Sequence, residues 1–165
     1  MNRSPSRWRS RELFLDTNLL ILYIVGSIDP DLIGRHKRTN QFIPEDFRLL
    51  QSVIRRFPRI VTTPNILTEV SNLLDQTEER ISRALHAVLG ALIKVESLDE
   101  RYVPGLDAIS IQEFQRLGVT DSSILFLAGE KQLLVLTEDI HLYLALCRRG
   151  IEALNFNHVR EAGWQ

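Results

Sequence analysis

A chain of 165 residues, 44% hydrophobic and 25% charged, can bury a sizeable core and has the composition of a single globular domain. Its formal net charge of −1 excludes the overall basic field of a protein that coats nucleic acid by charge alone. A single cysteine, Cys147, excludes an internal disulfide and a cysteine-based zinc site, and predicts a cytoplasmic protein.

Residues 1–10 are polar and arginine-rich and read as a flexible basic N-terminal arm. Arg3, Arg7, Arg9 and Arg11 around Trp8 suit a single-strand contact arm with a stacking ring, against the plainer reading of a tail. The apolar run "LFLDTNLLILYIVG" follows. It resembles a signal sequence, but Asp16 and Asn18 break it, and Leu19 to Gly26 is far too short to cross a membrane. Leu13 to Leu15 reads as a strand buried on both faces, and Asn18 as the cap of a helix to about Gly26.

Residues 27–44 read as an inserted loop carrying Arg35, His36, Lys37 and Arg38. A helix starts at Pro44, with Phe47, Leu50, Ile54 and Phe57 at helical spacing, and Pro58 ends it. "RIVTTP" is a strand, and Asn65 is expected to cap a helix to about Leu74. Glu78 to Lys94 is amphipathic. "IKVES" is expected as a third strand, Ser110 to Leu117 as a short helix, and Thr120 as the cap of a helix from Asp121 to about Glu130. "LLVLT" is the clearest strand. Helix Ile140 to Arg149, Gly150 as its C-cap and a last strand in "IEALNF" complete the chain. The alternation predicts a three-layer α/β/α sandwich: a central, mainly parallel sheet of about five strands in one domain over residues 11–165.

In such sheets the functional crevice lies beyond the carboxyl ends of the strands. Asp16 follows the first strand and Asp139 follows "LLVLT". Asp121 stands in a helix's first turn, and Glu69 one turn into the helix after "RIVTTP". Each acid alone has a plain explanation, as a helix cap, a dipole-favoured residue or a solvated side chain. Together they would repel one another, and a hard divalent cation relieves that repulsion. Oxygen ligands select Mg2+ or Mn2+ over zinc.

The segments "LFLDTNLLI", "TTPNILTEVSNLL", "GVTDSSILFLA" and "LLVLTED", in this order, resemble the four acidic signatures of the PIN-domain nucleases, over residues 12–158. The resemblance implies that Asp16, Glu69, Asp121 and Asp139 are the catalytic metal-binding quartet, supported by Thr17, Asn18 and Thr137. It implies a Mg2+- or Mn2+-dependent endoribonuclease acting on an RNA substrate. Such a protein is often a VapC-type toxin with a cognate antitoxin, and commonly a homodimer, with no membrane attachment. The stretch between Asp16 and Glu69 is longer than in the compact toxins.

Arg35, Lys37 and Arg38 are candidate RNA contacts, against the alternative of a solvated basic loop. Arg148 and Arg149 suit a helix C-terminus, the four histidines show no metal spacing, and Cys147 reads as core. Two other functions compete. One is a non-catalytic RNA- or protein-binding module on the same fold. The other is a metal-dependent phosphatase, which Asn18 disfavours because a second aspartate would be needed there.

Overall fold

The computed structural model describes residues 10–130 and 133–163. Five parallel strands lie in the order β3-β2-β1-β4-β5: β1 is Glu12–Leu15, β2 Ile60–Thr62, β3 Leu98–Glu100, β4 Leu133–Thr137 and β5 Ala153–Asn155. In the centre, Leu13 pairs with Ile60 on one side and Leu134 on the other. Leu13 to Leu15 and the whole of β4 are buried, as strands covered on both faces must be.

Among the described residues eight α-helices cover the sheet: α1 Thr17–Ile28, α2 Pro44–Ile54, α3 Pro64–Leu74, α4 Glu79–Ile93, α5 Gly105–Ile109, α6 Phe114–Glu130, α7 Ile140–Arg148 and α8 Phe156–Ala162. The chain steps from β1 to β2 to β3 towards one edge, then returns past β1 to β4 and β5. Right-handed crossovers therefore place α1–α4 on one face and α5–α7 on the other. The packing agrees: α1 touches α2, α3 and α4, while α6 touches α5 and α7. The result is the three-layer sandwich expected.

Helix α1 is apolar nearly all round because it lies between the sheet and three other helices; Leu19–Leu22 and Ile24–Gly26 are all buried. A Cβ at Gly26 would stand 2.5 Å from the Phe47 ring, so the close approach of α1 and α2 requires glycine there.

Several local expectations are corrected. Asp16, not Asn18, caps α1: its backbone is extended and its carboxylate accepts the Leu19 N–H at 3.0 Å. Thr63, not Asn65, caps α3, because Pro64 occupies the first helical position, where no N–H is required. The third strand is Leu98–Glu100, not "IKVES"; Ile93 closes α4, and an edge strand needs backbone pairing more than an apolar sequence. The short helix expected at Ser110–Leu117 is replaced by a turn after α5 and the start of α6 at Phe114. Thr120 is already helical, because α6 is broken at Gly118 and not begun at Asp121. Helix α7 ends at Arg148 with Arg149 as its cap, and Gly150 follows at φ 68°.

The stretch expected as a loop over 27–44 has no strand or α-helix between Ile28 and Pro44, and four of its side chains anchor it to the core. Helix α1 runs on to Ile28, a 3-10 turn spans Pro30–Leu32, and Ile33, His36, Thr39 and Phe42 are buried. Cys147 is exposed and not core. Of the arm, Arg3, Arg7, Trp8 and Arg9 lie outside the described residues. Arg11 is paired with Glu152, so it is anchored to the domain. No helix among the described residues is long and apolar enough to cross a membrane.

Candidate functional site

The strand order reverses between β1 and β4: β2 and β3 continue from β1 on one side, β5 from β4 on the other. At the carboxyl ends of these two strands the loops diverge and leave a crevice. Asp16 follows β1 there, Thr137 ends β4, and Glu138 and Asp139 come directly after it. Helix α3 brings Glu69 to the same rim, and α6 brings Asp121. All four sequence-predicted acids line one cleft of about 270 Å³.

Asp16 is 6% exposed and fully engaged. One carboxylate oxygen accepts from Leu19 N–H at 3.0 Å; the other accepts from the Thr137 hydroxyl and from Glu138 N–H at 2.9 Å. Its charge is therefore compensated first by three hydrogen bonds, where sequence alone suggested a shared metal ion as the compensation. Burial nevertheless outweighs these bonds and raises its pKa to about 6, with the neighbouring Glu138 adding to the rise.

Thr137 is fully buried and ties two acids together. Its hydroxyl donates to Asp16 and accepts from the Asp139 N–H at 3.0 Å. Asp139 caps α7, one oxygen accepting from His141 and Leu142 N–H at 2.6 and 3.3 Å. Thr17 donates to Glu69 at 3.0 Å and Asn18 to the Glu138 carboxylate at 2.7 Å. The three expected supporting residues thus each orient an acid of the rim.

Asp121 is held differently. Gly118, at φ 80° and ψ −177°, adopts a backbone conformation open essentially to glycine alone and splits α6. The second part of the helix therefore starts afresh at the rim, with Asp121 in its first turn. Burial raises the Asp121 pKa to about 7, reinforced by the negative charges of Asp139, Asp16 and Glu69 in that order. A Cβ at Gly118 would touch nothing within 4 Å, so Gly118→Ala tests the backbone conformation alone. It is expected to destabilise the fold by about 1–3 kcal/mol in denaturant unfolding.

The donor set is oxygen only. Among the described residues no cysteine or histidine lines the cleft, and Arg38 is the one cation that does. An acid such as Asp121, whose pKa is raised by burial and by three neighbouring carboxylates, suits a hard divalent cation, which would supply the balancing positive charge. Among the described residues, no three acid, imidazole or thiol side chains are already drawn into a closed metal cage.

The basic run 35–38 is divided by the fold. Arg38 reaches the carboxylate cleft, whereas Arg35 and Lys37 line a separate cavity with His36 and Glu78. Of the three expected RNA contacts, the structure brings one to the acids. Sequence reasoning passed over Glu138, which lies between Thr137 and Asp139 in "LTED" and receives Asn18. Its adjacency to two selected residues was the available signal. No protein-family model and no curated protein sequence matches this chain.

Proposed function

We propose that this chain is a Mg2+- or Mn2+-dependent endoribonuclease of the PIN type. The observation that supports this reading most is the meeting of Asp16, Glu69, Asp121 and Asp139, from four separate segments, in one cleft at the switch point of a parallel sheet. Asp16, Asp121 and Asp139 would hold the principal ion, with Glu69 holding a second ion or a water. A bound divalent cation supplies charge neutralisation at a phosphodiester and a more acidic water.

The residues of the chain do the rest. Thr137 and the Glu138 N–H fix the Asp16 carboxylate, and Thr17 fixes Glu69, so the rim is oriented before substrate arrives. Arg38, the one cation among the described residues that line the cleft, would take a phosphate oxygen in its guanidinium fork. A cytoplasmic location, an RNA substrate, a toxin role with a cognate antitoxin, and a homodimer belong to the same reading. Sedimentation of the purified protein tests the dimer.

Asp16 and Asp139 are already engaged as helix caps, an observation that favours a second reading: a binding module that retains the fold without catalysis. Two measurements separate the readings. The ribonuclease is expected to cleave single-stranded RNA with Mn2+, to stop on chelation, and to bind Mg2+ or Mn2+ in calorimetry. Absence of metal binding together with absence of cleavage would establish the module instead.

A further inference from the structure

Beside the carboxylate cleft lies a second, more open groove of about 510 Å³ that shares Glu69 and Thr120 with it. Helix α3 forms its floor. Asn65, Thr68, Glu69 and Asn72 follow the spacing i, i+3, i+4, i+7 and so occupy one stripe of that helix, while Ile66, Val70 and Leu74 face the core. An exposed helix stripe is ordinarily charged. Here it carries two amides and a hydroxyl around one carboxylate, and among the described residues no lysine or arginine lines the groove. An anion would find no counter-charge in it.

Tyr102, 75% exposed, also lines the groove. A large aromatic residue left in water is informative when its backbone is held, and this one is. The preceding Arg101 donates its N–H to the Thr62 carbonyl at 2.9 Å and pairs with Glu12 and Asp99, both at 2.6 Å. The following Val103 is 4% exposed. The ring is thus mounted on a fixed support and needs little ordering to receive a flat partner.

A planar, uncharged, hydrogen-bonding heterocycle matches this combination of an exposed ring and free amides. Amides pair with the edges of bases, and aromatic rings take their faces. We propose that the groove is a nucleobase subsite, in which Tyr102 stacks on a base of the RNA strand next to the scissile phosphate and Asn65 and Asn72 contact its edge. This inference rests on the ribonuclease reading, and makes the substrate an unpaired strand. A base held in a duplex could not offer its face to the ring.

The test compares wild type, Tyr102→Ala and Tyr102→Phe. Binding of a fluorescein-labelled single-stranded RNA octamer and of an abasic octamer with the same backbone is followed by anisotropy in Ca2+. Cleavage of the RNA octamer is followed in Mn2+. Wild type and Tyr102→Phe are expected to prefer the base-bearing strand, and Tyr102→Ala to lose about ten-fold or more in affinity for it, with little change for the abasic strand. In cleavage the loss is expected in KM more than in kcat. Tyr102 is exposed, so the variant should keep the wild-type melting temperature.

Unchanged affinity and KM in Tyr102→Ala, with wild type cleaving, overturns the subsite and leaves the ribonuclease standing. RNA binding that depends on Tyr102 without cleavage sustains the subsite and overturns the ribonuclease. A wild type that neither binds nor cleaves removes both. If Tyr102→Ala alters only the sedimentation of the protein, the ring belongs to a protein–protein face and the inference fails.

Discussion

Asp121→Asn is expected to act in two opposite directions. Metal-dependent RNA cleavage should fall about 100- to 1,000-fold, the scale seen when one stabilising group is removed from a developing charge. The metal-free protein should become more stable. The reason is the same in both cases: Asp121 stands near three other carboxylates with a single arginine in the cleft, and its pKa is raised to about 7 by burial and by those charges. Near pH 8 the wild type must keep this group ionised without a cation. One pKa unit corresponds to about 1.4 kcal/mol, and allowing for partial exposure the asparagine should return about 1–3 kcal/mol. For a domain of this size that is about 3–10 °C in melting temperature. Thermal melts in chelator, set beside cleavage assays, check it. A variant that lost activity and stability together would point to a structural role in α6 instead.

The second large effect is the pH dependence of the metal-free protein. Asp16 and Asp121 have folded-state pKa values of about 6 and about 7, above the ordinary aspartate value of 3.8. The folded state therefore holds protons that the unfolded chain has released. Their stabilising contribution is complete below about pH 3.8 and is lost as pH rises through 6 and then 7. His36 works the other way. Burial lowers its pKa from 6.5, so its neutral form favours the fold less as pH falls.

The difference between wild type and Asp121→Asn cancels His36 and isolates the acid. It should be near zero at pH 4 and reach its full value by pH 8. Added Mn2+ should raise the wild-type melting temperature several degrees at pH 8 and hardly at all at pH 5, where protons occupy the same oxygens. A wild type whose stability difference from Asp121→Asn did not vary with pH would mean that the fold does not raise the pKa of Asp121.

The legibility of the fold varied from element to element. β4 is plain in the sequence because four apolar residues, Leu133 to Leu136, run without interruption and are buried in the middle layer. β3 was misplaced because an edge strand is held by backbone pairing, and "LDE" carries no apolar signature. Asp16 was located correctly but its capping role was assigned to Asn18; both residue types cap helices, and only the backbone at Asp16 decides which does. The break in α6 was hidden because a glycine inside a helical pattern reads the same at any φ.

The same division holds for the candidate site. The order of apolar and polar residues along this chain determined by itself that strands and helices alternate, and that four acids fall at strand or helix ends. These are local properties, set by periodicity and cap chemistry. Only the tertiary structure decided that those acids share one cleft, that Thr137 ties two of them together, and that Arg38 joins them while Arg35 and Lys37 do not. It also put Tyr102 on the rim of an adjoining groove. The physical reason is that β1 and β4 are far apart in sequence and adjacent in space. Their pairing depends on burying both strands at once, and no window of sequence contains that sum.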